Sequence, residues 1–254
     1  MEDVKNQEKL NEIIPLTGMI EATTNVDMVF VIDATESMTP IINTVKEFAL
    51  KLYDDVIEGL KNYSRTVNQF RVKVIVFRDY YCDGDYAMEE SDFFYLPDES
   101  PEFKAFVSEI EAKGGGDEPE SALEALALAM RSDWVKEGIS KRHTIVLFTD
   151  ASAHPLEKAK DVEIDNYPED MFGSYEEMLE AWNSAEQGTC LDKENRFKMS
   201  KNARRLILFA PDAEPWTELA VDFEQCFMTQ IESNEGCNEL DKEMIINTIA
   251  KSMR

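Results

Sequence analysis

The sequence predicts a doubly wound α/β domain, in which a mostly parallel six-stranded sheet carries helices on both faces and one short antiparallel strand at its edge. Three strands are uninterrupted apolar runs, as a sheet buried on both faces requires; they lie at residues 28–32, 145–148 and 206–209. Amphipathic helical segments alternate with these strands, which indicates right-handed βαβ crossovers. The 254 residues are enough for one such domain.

The boundaries of the elements follow from apolar spacing and from prolines. The first helix starts at Thr39 and Pro40, and apolar residues recur at three- and four-residue spacing up to Leu60, as one buried face requires. The strand 93–96 is short and precedes Pro97, so it is predicted at the sheet edge. The other strands are predicted at residues 27–33, 70–77, 143–149, 205–210 and 226–231, and later helices near residues 101–113, 119–130, 214–222 and 240–253.

The chain is predicted to form one domain with a lead-in and an insertion. Residues 1–25 are the polar lead-in, and residues 26–254 form the domain. Residues 154–202 are far longer than an ordinary connection between a strand and a helix. They combine many acidic residues with aromatic ones such as Tyr167 and Trp182, and are therefore predicted to be a helical acidic insertion.

The charge of the chain limits the classes of partner. Its formal net charge is −26, from 52 acidic and 26 basic residues. Such a surface repels nucleic-acid backbones and anionic membranes, so neither is expected as a partner. It favours cations and partner proteins with basic residues.

Targeting features and cysteine spacing favour a cytoplasmic localisation. No apolar run reaches the roughly 20 residues that cross a bilayer, and the amino-terminal stretch lacks the basic start and apolar centre of a signal peptide. The four cysteines form no C-x-x-C pair, which predicts free thiols in a reducing compartment.

A loop with three oxygen-bearing side chains follows the first strand. Asp33, Thr35 and Ser37 form a D-x-T-x-S pattern that can direct one carboxylate and two hydroxyls to a single point. Hard oxygen ligands without His or Cys suit Mg²⁺, Mn²⁺ or Ca²⁺. The alternative for this loop alone is a strand end in which these side chains only bond backbone groups.

Two further polar loops are predicted at the same end of the sheet. Asp150 follows the strand 143–149, and three glycines at 114–116 precede Asp117 and Glu120. Ligands of open doubly wound sheets bind outside the carboxyl ends of the strands. Three carboxylate-bearing loops that converge there repel one another unless a cation lies between them. The alternative is that Asp117 caps the following helix and Asp150 is a turn residue.

The stretches VFVIDATESM (residues 29–38) and FTDA (residues 148–151) resemble a von Willebrand factor A-type domain, also called an integrin I-like domain. The resemblance implies a metal-ion-dependent adhesion site with Asp33, Thr35, Ser37 and Asp150 as ligands. Thr35 replaces the more usual serine and keeps the hydroxyl.

The second loop departs from the usual pattern, which has a threonine after the glycines. Asp117-Glu118-Pro119-Glu120 instead resembles the D-x-P-E loop of integrin β-subunit domains, which implies that Asp117 or Glu120 is the second-loop ligand. Glu36, Glu118 and His154 are predicted to lie at the rim of the site, where a partner would bind.

The resemblance implies a non-enzymatic binding module. A divalent cation, Mg²⁺ with Mn²⁺ or Ca²⁺ as alternatives, would accept a carboxylate from a partner protein. The alternative is a Mg²⁺-dependent phosphohydrolase of the haloacid dehalogenase type with Asp33 as nucleophile. That class needs a second carboxylate two residues on, where this chain has Thr35.

Overall fold

Seven strands and seven helices are found in the computed structural model, which describes residues 23–49, 51–61, 66–116, 118–161, 163–164, 166–184 and 199–252. The strands are β1 (Thr23–Asp33), β2 (Thr66–Phe77), β3 (Met88–Glu90), β4 (Phe94–Leu96), β5 (Ser140–Phe148), β6 (Arg204–Pro211) and β7 (Cys226–Ile231). The helices are α1 (Thr39–Ala49), α2 (Leu52–Lys61), α3 (Ser100–Glu109), α4 (Ala122–Met130), α5 (Tyr175–Asn183), α6 (Trp216–Asp222) and α7 (Lys242–Ser252).

The sheet has the order β3-β2-β1-β5-β6-β7, and β4 also pairs with β2. The five long strands are parallel, whereas β3 pairs antiparallel with residues 75–77 of β2 and β4 with residues 70–72. The predicted fold class is therefore confirmed. The predicted count of six strands rises to seven, because Met88-Glu89-Glu90 also forms a strand. This segment has only three residues, and two of them are exposed glutamates. It therefore lacks the alternation of apolar and polar residues from which a strand could be predicted.

Alternate residues of the parallel strands enter two separate cores. Met28, Phe30 and Ile32 of β1 pack on the face covered by α1, α2, α3 and α7, whereas Val29 and Val31 pack on the face covered by α4, α5 and α6. The strands β5 and β6 divide in the same way. A sheet buried on both faces explains why their sequences are continuously apolar.

The predicted first helix is two helices in the structure. Lys51 lies in a turn between α1 and α2, but Phe48 and Leu52 on either side of it enter the same core. The four-residue spacing of this pair preserves the helical period, so the sequence pattern gave no sign of the break.

The part of the insertion that the structure describes packs against the sheet. Trp182 of α5 is fully buried and donates its indole N–H to the Glu224 carbonyl (2.8 Å). Met178 of α5 and Leu156, from a 3₁₀ turn, belong to the same core. Residues 185–198 of the insertion and 1–22 of the lead-in lie outside the described residues. None of the described helices has both the length and the apolar character needed to span a bilayer.

A buried ion pair joins β1 to β2 at two residues that lie opposite each other in the sheet, Asp27 and Arg71. The Arg71 guanidinium donates from Nε to Asp27 Oδ1 (2.8 Å) and from Nη2 to Asp27 Oδ2 (2.6 Å). The backbone N–H of Val135 donates to the same Oδ2 (2.6 Å), and the guanidinium lies 4.5 Å from the ring centre of Phe93. Burial raises the pKa of Asp27, and the bonds from Arg71 oppose that rise.

Candidate functional site

The loop after β1 is organised around the carboxylate of Asp33, which is fully buried. Its Oδ1 accepts hydrogen bonds from the backbone N–H (2.9 Å) and the hydroxyl (2.7 Å) of Thr35. Its Oδ2 accepts a hydrogen bond from the Thr149 hydroxyl (2.7 Å) at the end of β5. Asp33 therefore links the first and third predicted loops.

Asp150 lies on the neighbouring strand end, as predicted, because β1 and β5 are adjacent and parallel. Its Oδ1 accepts a hydrogen bond from the Ser37 hydroxyl (3.0 Å), and the Thr35 and Ser37 hydroxyl oxygens are 3.4 Å apart. The backbone N–H of Gly236 donates to Asp150 Oδ2 (2.7 Å). The structure thus brings together four of the predicted ligands.

Glu120 brings the second loop to the same place. Its backbone bonds to Ser152 (3.0 Å) and His154 (2.8 Å) fix it between the loops, and its side chain is buried. Glu120 Oε2 is buried, and none of the residues that the structure describes gives it a hydrogen bond. A β-carbon on Gly115 would lie 3.0 Å from Glu120 Oε1 and 2.8 Å from Thr35 Cγ2, so the Glu120 carboxyl and the Thr35 side chain flank this glycine.

The remaining predicted residues have different outcomes. Asp117 lies outside the described residues, so the choice between Asp117 and Glu120 remains a prediction. Glu36 and Glu118 are exposed, and Glu118 Oε1 accepts the Ser152 N–H (2.7 Å). His154, predicted at the rim, is only 4% exposed, because its ring lies against Asp79 (Nε2 to Oδ1, 3.3 Å) and Tyr81.

Arg78 organises the loops, and sequence reasoning missed it. The residue is buried, and its guanidinium donates from Nε to the carbonyls of Ala34 (3.1 Å) and Lys113 (2.8 Å). It also donates to the carbonyls of Tyr86 and Glu111, both at 2.8 Å. One side chain therefore holds the loop after β1 against the segment before the glycines. Its only signal in the sequence is an arginine directly after an apolar strand.

Carboxylates dominate the electrostatics of the cluster. Burial, together with the charges of Asp33, Asp79, Asp83 and Asp150, raises the pKa of Glu120 to about 9. Burial also raises the pKa of Asp33 to about 6, although its hydrogen bonds from Thr35 and Thr149 oppose the rise. Hence ionising the whole cluster without a nearby cation costs free energy.

A family model described as von Willebrand factor A domain matches residues 27–166, more than half of the chain. The chain belongs to the von Willebrand factor A domain family. It is also 31% identical over 157 residues to the protein named Alpha-protein kinase vwkA of Dictyostelium discoideum. That match covers 61% of this chain but only 23% of the kinase.

Solved structures with a similar backbone include the pilus adhesin SpaC from Lactobacillus rhamnosus GG. One form superposes with a TM-score of 0.49 at 13% identity, covering 91% of this chain and 31% of the adhesin. The open conformation gives a TM-score of 0.48 at 12% identity, covering 91% and 30%.

The side chains of this von Willebrand factor A domain fit a hard divalent cation in chemistry. Among the described residues, no three His, Cys, Asp or Glu side chains are close enough to hold a metal by themselves. The cluster, however, also contains the hydroxyl groups of Thr35 and Ser37, and these are further oxygen ligands besides the carboxylates. The buried Glu120 Oε2, to which no described residue donates a hydrogen bond, adds an oxygen ligand in a region of excess negative charge. An all-oxygen donor set is what Mg²⁺, Mn²⁺ and Ca²⁺ prefer.

The close approach at Gly115 gives a testable prediction. Gly115→Ala is expected to lower the free energy of unfolding by about 1–3 kcal/mol more than Gly84→Ala, because the added methyl overpacks against Thr35 and Glu120. Gly84 is a matched control, since its φ of +54° is also left-handed and its β-carbon would have no neighbour within 4 Å. Urea unfolding of both variants measures the difference, and equal losses would contradict the prediction.

Proposed function

We propose that this von Willebrand factor A domain is a non-enzymatic protein-binding module whose contact with its partner depends on a divalent cation. Asp33, Thr35, Ser37, Glu120 and Asp150 would hold the ion, with Asp117 as a further candidate. Once bound, the ion would supply a positive charge that accepts a carboxylate of the partner. Family membership supports the protein-interaction role.

The observation that carries the proposal is Glu120 Oε2, which is buried beside the Asp33 and Asp150 loops and lacks a hydrogen-bond partner in the described part of the chain. A buried acceptor without a partner costs about 1–3 kcal/mol, and more when it is charged, so its retention needs a reason. Neutralisation by a cation supplies that reason.

In this proposal some residues of the module bind the ion, and others at the rim of the site contact the partner. Asp33 and Asp150 are fixed by the bonds from Thr149 and Gly236, so their oxygens are already oriented before any ion binds. Glu36 is exposed and lies in the loop between the proposed ion ligands Thr35 and Ser37. In this proposal Glu36 contacts basic residues that surround the partner's carboxylate, which contributes specificity.

No observation favours the phosphohydrolase alternative. That class needs a second carboxylate two residues after the nucleophile, but this position holds Thr35, whose hydroxyl donates to Asp33 Oδ1 (2.7 Å). The Dictyostelium relative is named a kinase, but the match covers only 23% of that protein. Its name therefore does not assign kinase activity to this chain.

The test is Mg²⁺-dependent stabilisation and partner capture by the wild type, Asp33→Ala and Ser37→Ala. Mg²⁺ at about 100 times its Kd is expected to stabilise the wild type by about 2.7 kcal/mol and to leave Asp33→Ala unchanged. Ser37→Ala removes one exposed hydroxyl and is expected to bind Mg²⁺ about tenfold more weakly, in case the Asp33 variant folds poorly. Pull-downs with Mg²⁺ or with a chelator should follow the same order.

The exposed Asp98 provides the matched control, because Asp98→Ala removes the same charge far from the cluster in sequence. It should bind Mg²⁺ and the partner as the wild type does. If a folded Asp33→Ala protein also bound both normally, the proposal would be wrong.

A further inference from the structure

A basic cavity of about 660 Å³ opens at the amino ends of β5 and β6, the opposite end of the sheet from the metal site proposed above. Five basic residues line it: Lys136, Lys141, Arg142, Lys201 and Arg204. None of the described residues that line it is acidic. This concentration of positive charge is unexpected in a chain with twice as many acidic as basic residues.

Backbone contacts position these cations at the cavity wall. Lys141 Nζ donates to the Lys136 carbonyl (2.7 Å), and Arg142 donates to the Lys141 carbonyl (2.8 Å). Lys201 Nζ donates to the Asn183 carbonyl (2.9 Å) and also pairs with Glu224 (3.0 Å). The Lys141 ammonium is thus held in advance at the wall, which lowers the ordering cost of binding an anion there.

The cavity also offers apolar contacts. Ile139, on the wall, is 96% exposed. Its side chain gives an occupant of the cavity an apolar contact beside the lysines. A purely inorganic anion would use only the basic residues.

We propose that this cavity binds an acidic peptide segment of a partner protein. Carboxylates of the segment lie against Lys136, Lys141 and Lys201, and an apolar side chain packs on Ile139. The volume is within the range of about 300–1,000 Å³ typical of ligand sites. A short segment suits this chain better than a nucleic acid or a membrane, because a long polyanion would also be repelled by the rest of a chain whose overall net charge is −26.

The test is fluorescence polarisation with a labelled Glu-Glu-Leu-Glu-Glu peptide at low salt. The protein is first freed of divalent cations, so that the proposed metal site cannot take up the carboxylates. The double variant Lys136→Glu/Lys141→Glu is expected to bind the peptide at least about tenfold more weakly than the wild type. The control Lys51→Glu/Lys251→Glu makes the same change of net charge at two exposed lysines outside the cavity and should bind as the wild type does.

Three results would overturn the proposal. Equal weakening in the control would mean that only net charge matters, and equal binding of a Gln-Gln-Leu-Gln-Gln peptide would exclude carboxylate recognition. Tighter binding of inorganic tripolyphosphate than of the peptide would assign the cavity to a phosphate ligand. Asp33→Ala should bind the peptide normally, which separates this proposal from the metal-dependent one.

Discussion

Asp27→Ala is expected to lower the free energy of unfolding by about 3–5 kcal/mol, one of the two largest changes in stability that we predict. The substitution removes both acceptors of the Arg71 guanidinium and leaves a buried positive charge without its counterion. It also removes the acceptor of the Val135 N–H. Urea unfolding followed by circular dichroism measures the loss.

Two control variants separate the buried charge from other effects. Lys73→Ala breaks the Lys73–Glu90 pair (2.7 Å), in which the glutamate side chain is 42% exposed, and should cost at most about 1 kcal/mol. The double variant Asp27→Leu/Arg71→Met removes both charges and should recover much of the stability. A double variant no more stable than Asp27→Ala would contradict this account.

Glu120→Gln is expected to stabilise the metal-free protein by about 2–4 kcal/mol at pH 8 while weakening its affinity for Mg²⁺. A carboxyl whose pKa is raised in the folded state binds more protons there than in the unfolded chain. Because the pKa of Glu120 rises from 4.5 to about 9, the metal-free wild type should lose stability as the pH increases through that range. The amide cannot ionise and avoids this loss.

The measurement is urea unfolding of both proteins at several pH values, with Mg²⁺ or with a chelator. Between pH 7 and 9 the chelated wild type should lose up to about 1.4 kcal/mol per pH unit relative to Glu120→Gln. Asp33 contributes its own loss only below about pH 6, so it does not interfere in this range. Glu109→Gln, at an exposed position on α3, should leave the pH dependence unchanged. A variant less stable than the wild type at pH 8 would show that ionisation of Glu120 carries no penalty.

The sequence alone predicted the central strands of the sheet and the meeting of two of the polar loops. The apolar runs of β1, β5 and β6 identified the sheet because burial on both faces leaves no polar position inside them. The convergence of Asp33 and Asp150 followed from the adjacency of two parallel strands, which a doubly wound order implies.

Features that depend on contacts distant in sequence were not predictable in this way. The Thr149 hydroxyl donates a hydrogen bond to Asp33, which is 116 residues away in the sequence. The Arg78 guanidinium donates hydrogen bonds to carbonyl groups of separate loops. His154, predicted at the rim, is buried against Asp79, which lies on the loop after β2. In each case the deciding partner lies on another loop, so local pattern cannot reveal it.

The two sides of the sheet differ in a way that bears on aggregation. Beside β2, the outer positions are divided between β3 and β4, each three residues long, and β3 carries the exposed Glu89 and Glu90. A second chain can form few backbone hydrogen bonds with strands that are so short and charged. On the other side β7 runs for six uncharged residues with Phe227 exposed, and β6 is its only partner among the described strands. Unwanted self-association by strand addition is therefore expected to start from β7, and Phe227→Lys should suppress it.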